Sequence, residues 1–184
     1  MHKNNPVRCQ RFDTSLFCRY YEQLSRCSGL TQMAQYPQHG NTSRLLHSVA
    51  VAYYSYRLAA ATPASFHMHE MVRGALFHDY FFYDAQDGDP AHKGHWTRHP
   101  SIALENAQKE LRLTGIERDI IRSHMFPLTP RPPQFREAAL VSLMDKACSV
   151  YEFFRRKDPY RTLRALLEDL PVHPVLQPQA PEAL

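Results

Sequence analysis

Arg73-Gly74-Ala75-Leu76-Phe77-His78-Asp79-Tyr80-Phe81-Phe82-Tyr83-Asp84 sets an imidazole and a carboxylate side by side at the end of an apolar run. Neighbours on a regular helix point about 100° apart, so adjacent side chains rarely reach one centre from mid-helix. At a helix end the backbone can turn and both groups can converge, with the aromatic residues beyond them walling the centre from water. The dipeptide alone is a weak signal, and the spacing of other ligand-type residues strengthens it. His47 lies 31 residues before His78, and His99, His124 and Asp145 follow at intervals of 20, 25 and 21 residues from Asp79 onward.

The flanks of this stretch read as helices. The segment ending in it, about 67–79, carries Met71, Val72, Ala75 and Leu76 at helical spacing, with His67 and His69 as solvated residues at its start. Before it, Asn41-Thr42-Ser43 offers N-caps for a helix over about 43–61 that Pro63 closes. His47 falls inside that helix and, taken alone, reads as a core histidine; Arg44 shares nearly its face. Further upstream, Phe12 to Leu24 predict a first helix over 7–28 ended by Gly29, and Pro37-Gln38-His39-Gly40 reads as a turn.

Downstream, Asp84–Gly94 is a polar loop whose Asp87-Gly88-Asp89-Pro90 lacks the spacing and closing Glu of a calcium-binding EF-hand. His99-Pro100 predicts a helix start with proline in the favoured first position, running to about 113. A short helix over 116–125 carries His124 and stops before the proline-rich connector 127–133. A long helix follows over about 134–157. Asp145 lies among its apolar residues and needs a cation, a metal or several donors, because an unpaired buried carboxylate is costly; an arginine partner is the simplest. A last amphipathic helix spans about 159–170, and the proline-rich tail 171–184 is expected to be disordered.

The 184 residues suffice for one domain with a real core, and a 43% hydrophobic, 22% charged composition is that of a globular protein. Six Gly against 14 Pro disfavours an all-β architecture. A net charge of +4 suits a small anionic substrate but is no nucleic-acid footprint. Cys9, Cys18, Cys27 and Cys148 form no CxxC pair and read as reduced thiols of a cytoplasmic protein. No apolar run is long enough to span a membrane, and the polar start lacks a signal peptide.

His47, His78, Asp79, His99, His124 and Asp145 are each predicted at or near a helix, the way a helical bundle builds a metal site from facing elements. Mixed imidazole and carboxylate donors suit Fe, Mn, Co, Ni or Zn. The order H…HD…H…H…D resembles the HD-domain superfamily of metal-dependent phosphohydrolases. The resemblance is carried by Arg73–Tyr80, by His99-Pro100 with its small-residue helix, and by Leu143-Met144-Asp145-Lys146-Ala147, and it spans about 40–155. It implies an all-α, single-domain helical bundle over 1–170. It implies that His47, His78, Asp79 and Asp145 hold one divalent transition metal, and that Asp79 bridges to a second ion completed by His99 and His124. His95 is the alternative should the fourth ligand lie elsewhere. Tyr80-Phe81-Phe82 and Met125-Phe126-Pro127 replace the signatures of the cyclic-dinucleotide branch, whose activity is therefore not implied.

The expected activity is hydrolysis of a small phosphoester, such as a nucleotide, by a metal-bound hydroxide, since a cation lowers the pKa of its water from about 15.7 to about 7. Asp79 is the expected catalytic residue, and Arg44, Lys146 and Arg73 are the candidate cations for the anionic substrate, with Lys93 behind them. Two alternatives use the same ligands: a di-iron, O2-activating oxygenase similar to inositol oxygenase, and a non-catalytic ligand- or partner-binding HD fold. The basic cluster Arg155-Arg156-Lys157 with Arg161 and Arg164 would suit an anionic partner, but it lacks the interleaved aromatics of a nucleic-acid surface.

Overall fold

Eight helices and one small hairpin make up the regular structure of the described residues, 13–24, 28–39, 41–85, 87–155 and 160–168, in the computed structural model, apart from two single 3-10 turns. In chain order they are α1 (Thr14–Leu24), α2 (Ser28–Gln32), the hairpin β1 (Pro37–His39) and β2 (Thr42–Ser43), α3 (Arg44–Ala61) and α4 (Met68–Leu76). Then come α5 (His95–Glu110), α6 (Gly115–Ser123), α7 (Arg136–Phe154) and α8 (Arg161–Glu168).

Helix α3 is the axis. Ser43, in extended conformation, caps it by accepting from the Leu46 amide at 3.2 Å. Fourteen of its 18 residues are buried, so neighbours must cover it on every side. Helices α4 and α7 pack against it, α6 fills the space between those two, α5 leans on α6, and α1 covers α4. Small residues along α3 (Ala50, Ala52, Ala59, Ala60), all buried, let these partners come close. One hydrophobic cluster runs from Phe17 on α1 to Leu167 on α8, which makes the molecule a single all-α domain. No described helix is long and apolar enough to cross a membrane.

Several expected boundaries shift for identifiable reasons. Gly29 does not stop a long first helix: it lies inside α2, where a Cβ would sit 1.9 Å from the Tyr80 hydroxyl oxygen, so glycine serves a close approach. Pro37–His39 is a strand paired with Thr42–Ser43 rather than a turn. Pro100 is not at a helix start. Gly94, at φ 72°, sets off α5 at His95, and Pro100 lies inside the helix, where it lacks the amide that would bond the carbonyl of Trp96. The proline-rich tail, Cys9, Cys27, Arg156 and Lys157 lie outside the described residues, whereas Cys18 and Cys148 are buried free thiols.

Gly74 is where α4 meets α6. A Cβ there would lie 2.7 Å from Ile120 Cδ1 and 3.0 Å from its Cβ, too close for ordinary contact. Gly74→Ala is therefore expected to destabilise the fold by roughly 1–3 kcal/mol through overpacking, despite alanine's better helix propensity. Denaturant melts measure this, and an unchanged midpoint would refute the tight α4–α6 seam.

Candidate metal centre

The backbone turns where His78 and Asp79 need it to. Helix α4 ends at Leu76, and the Phe77 amide bonds back to the Arg73 and Gly74 carbonyls, each at 3.3 Å. The turn carries His78 and Asp79 under the first turns of α3. His47 comes from α3, His99 from the second turn of α5, His124 from the end of α6 and Asp145 from the middle of α7. All six are buried. They form three overlapping groups: His47–His78–Asp79, His78–His124–Asp145 and Asp79–His99–His124, with the chosen ligand atoms of each group within 4.8 Å of one another.

Hydrogen bonds fix which ring nitrogens face inward. The Nδ1 atoms of His78, His99 and His124 lie 2.7, 3.0 and 2.8 Å from the carbonyl oxygens of Ala75, His95 and Ile121. A carbonyl only accepts, so each Nδ1 carries a hydrogen and it is the Nε2 atom that each ring turns into the site. His99 Nε2 and His124 Nε2 then stand 2.8 Å apart. They stand 3.3 and 3.4 Å from Asp79 Oδ1, which has no hydrogen bond of its own. His78 Nε2 is likewise orphaned, 3.5 Å from Asp79 Oδ2 and 3.6 Å from Asp145 Oδ1. His47 Nε2 is 3.1 Å from Asp145 Oδ1.

Two buried carboxylates and four imidazoles converging with few donors among them suit a cation in their midst. Ligand atoms about 2.0–2.2 Å from one ion stand roughly 3–3.5 Å from each other, close to the separations found here. The donor set thus fits a divalent metal. Asp79 belongs to two of the groups, with Oδ1 toward His99 and His124 and Oδ2 toward His78.

Electrostatics agree. Burial works against a charge on His47, yet the carboxylates of Glu152 and Asp145 hold its pKa well above the ordinary imidazole value. His78 is also raised, its burial outweighed by Asp79 and Asp145. Burial would raise Asp79 and Asp145; the surrounding imidazoles, His78 foremost for Asp79 and His47 for Asp145, hold both well below the carboxylate range. Burial lowers His124 and takes His95 down to about 4.

Without an ion, protonated His47 and His78 supply the counter-charge to the acids. That stabilisation is complete below the ordinary imidazole pKa and fades as pH rises through their elevated folded-state values. A divalent cation must displace those protons. Titrating Mn2+ or Zn2+ into chelator-treated protein near neutral pH should release roughly one to two protons per molecule, with affinity rising with pH. Calorimetry in buffers of different ionisation enthalpy measures the release, and its absence would mean that the raised imidazoles are not ligands.

Two residues that hold the ligands, Glu152 and Gln38, were not legible in the sequence. Glu152, fully buried, takes the Nδ1 hydrogen of His47 at 2.9 Å and also accepts from the Tyr160 hydroxyl at 2.8 Å. It lies two turns beyond Asp145 on the same face of α7, so α7 grips His47 at both nitrogens. That seven-residue spacing is the signal that was available. Gln38, from the hairpin, donates to Asp79 Oδ2 at 2.7 Å, and its own oxygen accepts from Arg44 Nε at 3.1 Å.

The expected substrate-binding cations divide. Arg44 is fully buried and lines the cavity. Its donors go to Gln38, the Phe81 carbonyl (2.9 Å) and the Pro37 carbonyl (3.4 Å), and its guanidinium lies 3.6 Å from the Phe81 ring centroid. Burial pulls its pKa down to about 10. Arg73 does not reach the cavity: it points to α6, 3.4 Å from Glu117 and bonded to the Arg112 carbonyl. Lys146 reaches the wall of the cavity, tethered to the His124 carbonyl and 3.2 Å from Ser142 Oγ. Asp145 has two imidazole partners and Lys146, 3.4 Å from its Oδ2, rather than the arginine that the residue alone suggested. His95 stacks on His99 and takes its hydrogen bond from, or gives it to, the Tyr83 hydroxyl. Asp87, Asp89 and His92 also cluster, on the surface, where Asp87 Oδ1 accepts from the Asp89 amide and pairs with His92.

Asp79, His99, His124 and Asp145 form the floor of a cavity of about 700 Å3. Comparison with known protein families, curated proteins and solved structures finds no match for this chain. Fold and site alone define its class: an all-α protein with buried His/Asp groups that could hold a metal ion.

Proposed function

We propose that the chain is a metal-dependent phosphohydrolase of the HD type acting on a small anionic phosphoester. The observation that carries this reading is Asp79, shared between two imidazole groups at the floor of an open cavity with Lys146 beside it. His47, His78, Asp79 and Asp145 would hold one ion, and Asp79, His99 and His124 a second. Such cations would supply an acidified water and neutralise phosphoryl charge. The chain's own residues do the rest. The carbonyl bonds at Nδ1 keep the Nε2 atoms of His78, His99 and His124 aimed into the site, and Glu152 fixes the orientation of His47. Lys146, in the cavity lining beside Asp145, would pair with the phosphoryl oxygens. The Phe81 ring and the buried Arg44 close the floor against water.

Phosphate release from a panel of phosphoesters by Mn2+-loaded protein tests the reading. Release that disappears with a chelator and returns with metal supports it. Full metal loading with no ester cleaved overturns it, and O2 uptake by iron-loaded protein would put an oxygenase in its place. Lys146→Ala should lower kcat/KM by about 10–100-fold while metal content stays constant, since it removes a charge-assisted contact and no ligand. Unchanged kcat/KM would remove Lys146 from the substrate site.

A further inference from the structure

The cavity changes character between floor and mouth. Its floor is polar, yet four large apolar side chains at its lining stand in water: Trp96 (63% exposed), Leu128 (68%), Val150 and Phe153 (57% each). Each belongs to a segment that also supplies a floor residue. Trp96 is three residues before His99 on α5, Leu128 is four after His124, and Val150 and Phe153 are five and eight beyond Asp145 on α7. At 1.5 Å per residue, the α7 pair lies about 7–12 Å along the helix from Asp145. A phosphoryl group at the floor spans only the first part of that distance, and the substrate's organic group must occupy the rest.

That organic group meets few polar partners. Of the polar lining, Gln38 is taken up by Asp79 and Arg44, Arg44 by Gln38 and the Phe81 carbonyl, and His95 by the Tyr83 hydroxyl, so besides Lys146 there remain His39, the Ser149 hydroxyl and the Asp84 carboxylate. A sugar or base would lose its hydrogen bonds to water here with little in return. A hydrocarbon or aryl group loses nothing and covers exposed Trp, Leu, Val and Phe side chains, the composition usual for a ligand pocket with a small polar end.

We propose that the mouth is an apolar subsite that selects phosphoesters of hydrocarbon or aryl alcohols over sugar phosphates and nucleotides. The phosphate end of this assignment rests on the phosphohydrolase reading, but the subsite can be tested without turnover. Trp96 is the chain's single tryptophan, so its fluorescence reports on the mouth alone. The probes are n-alkylphosphonates, which carry the anionic head but no cleavable ester, added to Mn2+-loaded protein.

Emission should shift to the blue with octylphosphonate and not with methylphosphonate, and affinity should rise about fourfold per methylene that leaves water. Leu128→Ser with Phe153→Ser, both at exposed positions, should abolish the chain-length dependence. Affinity independent of chain length, or an unmoved emission on binding, overturns the subsite. So does a blue shift that grows with protein concentration in the absence of phosphonate, because the mouth then packs against a second copy. Graded phosphonate binding with no ester ever cleaved leaves the subsite standing and removes the hydrolase reading. Esters cleaved at one kcat/KM whatever their alcohol do the reverse.

Discussion

Asparagine at position 79 should leave the protein folded but unable to keep its metal, with phosphate release reduced by roughly a thousandfold or more. Partners behind a ligand are already worth about 10–100-fold, and Asp79 is shared by two ligand groups. The amide is nearly isosteric, so packing survives. What goes is the negative charge beside His78, along with one lone-pair oxygen, since the amide nitrogen cannot coordinate. The variant also separates metal binding from folding. Asp79 lies well below the carboxylate range, so its contribution to wild-type stability is present above the ordinary carboxylate pKa and lost as pH falls through the depressed folded value. Asp79→Asn should therefore show a shallower acid loss of stability than the wild type. Elemental analysis, phosphate release and acid melts measure the three effects. Wild-type metal content in this variant would remove Asp79 from the ligand set and the proposed chemistry with it.

The largest loss of stability is expected at Arg44. Its side chain is fully buried, packs on Phe81 and supplies donors to Gln38, Phe81 and Pro37. Arg44→Ala would open a cavity and leave buried oxygens without donors, at a cost of roughly 3–5 kcal/mol. For a chain of this length that lowers Tm by about 10 °C. Arg44→Lys keeps the charge but cannot reproduce a planar fork with three directed donors, so it should recover only part of the loss. If alanine melts within a degree or two of the wild type, the guanidinium is a surface group and the packing described above is wrong.

What could be read in the chain beforehand was what periodicity and residue type encode. The helix carrying His47 begins where Asn41-Thr42-Ser43 offers caps, and His78-Asp79 falls at a helix end, the place from which neighbours can converge. What stayed hidden depends on approach in three dimensions. Gly29 looks like a stop signal in one dimension, and only the Tyr80 hydroxyl explains it. Pro100 suggests a helix start, but Gly94 had already begun α5 five residues earlier. Arg44 and Arg73 are equally basic on paper, and packing buries one beneath the cavity while turning the other toward Glu117. Glu152 gives no signal by residue type, and only its register with Asp145 puts both acids on one imidazole.

The bond from Gln38 to Asp79 ties a three-residue strand to the floor of the site, and Arg44 locks the amide in that orientation. Any ion that draws on Asp79 Oδ2 competes with this tether, so filling the centre should loosen the hairpin. Backbone deuterium uptake over 37–43 would then rise on metal loading while the surrounding helices slow down. The strand would work as a built-in occupancy gauge, readable by exchange mass spectrometry without any knowledge of the substrate.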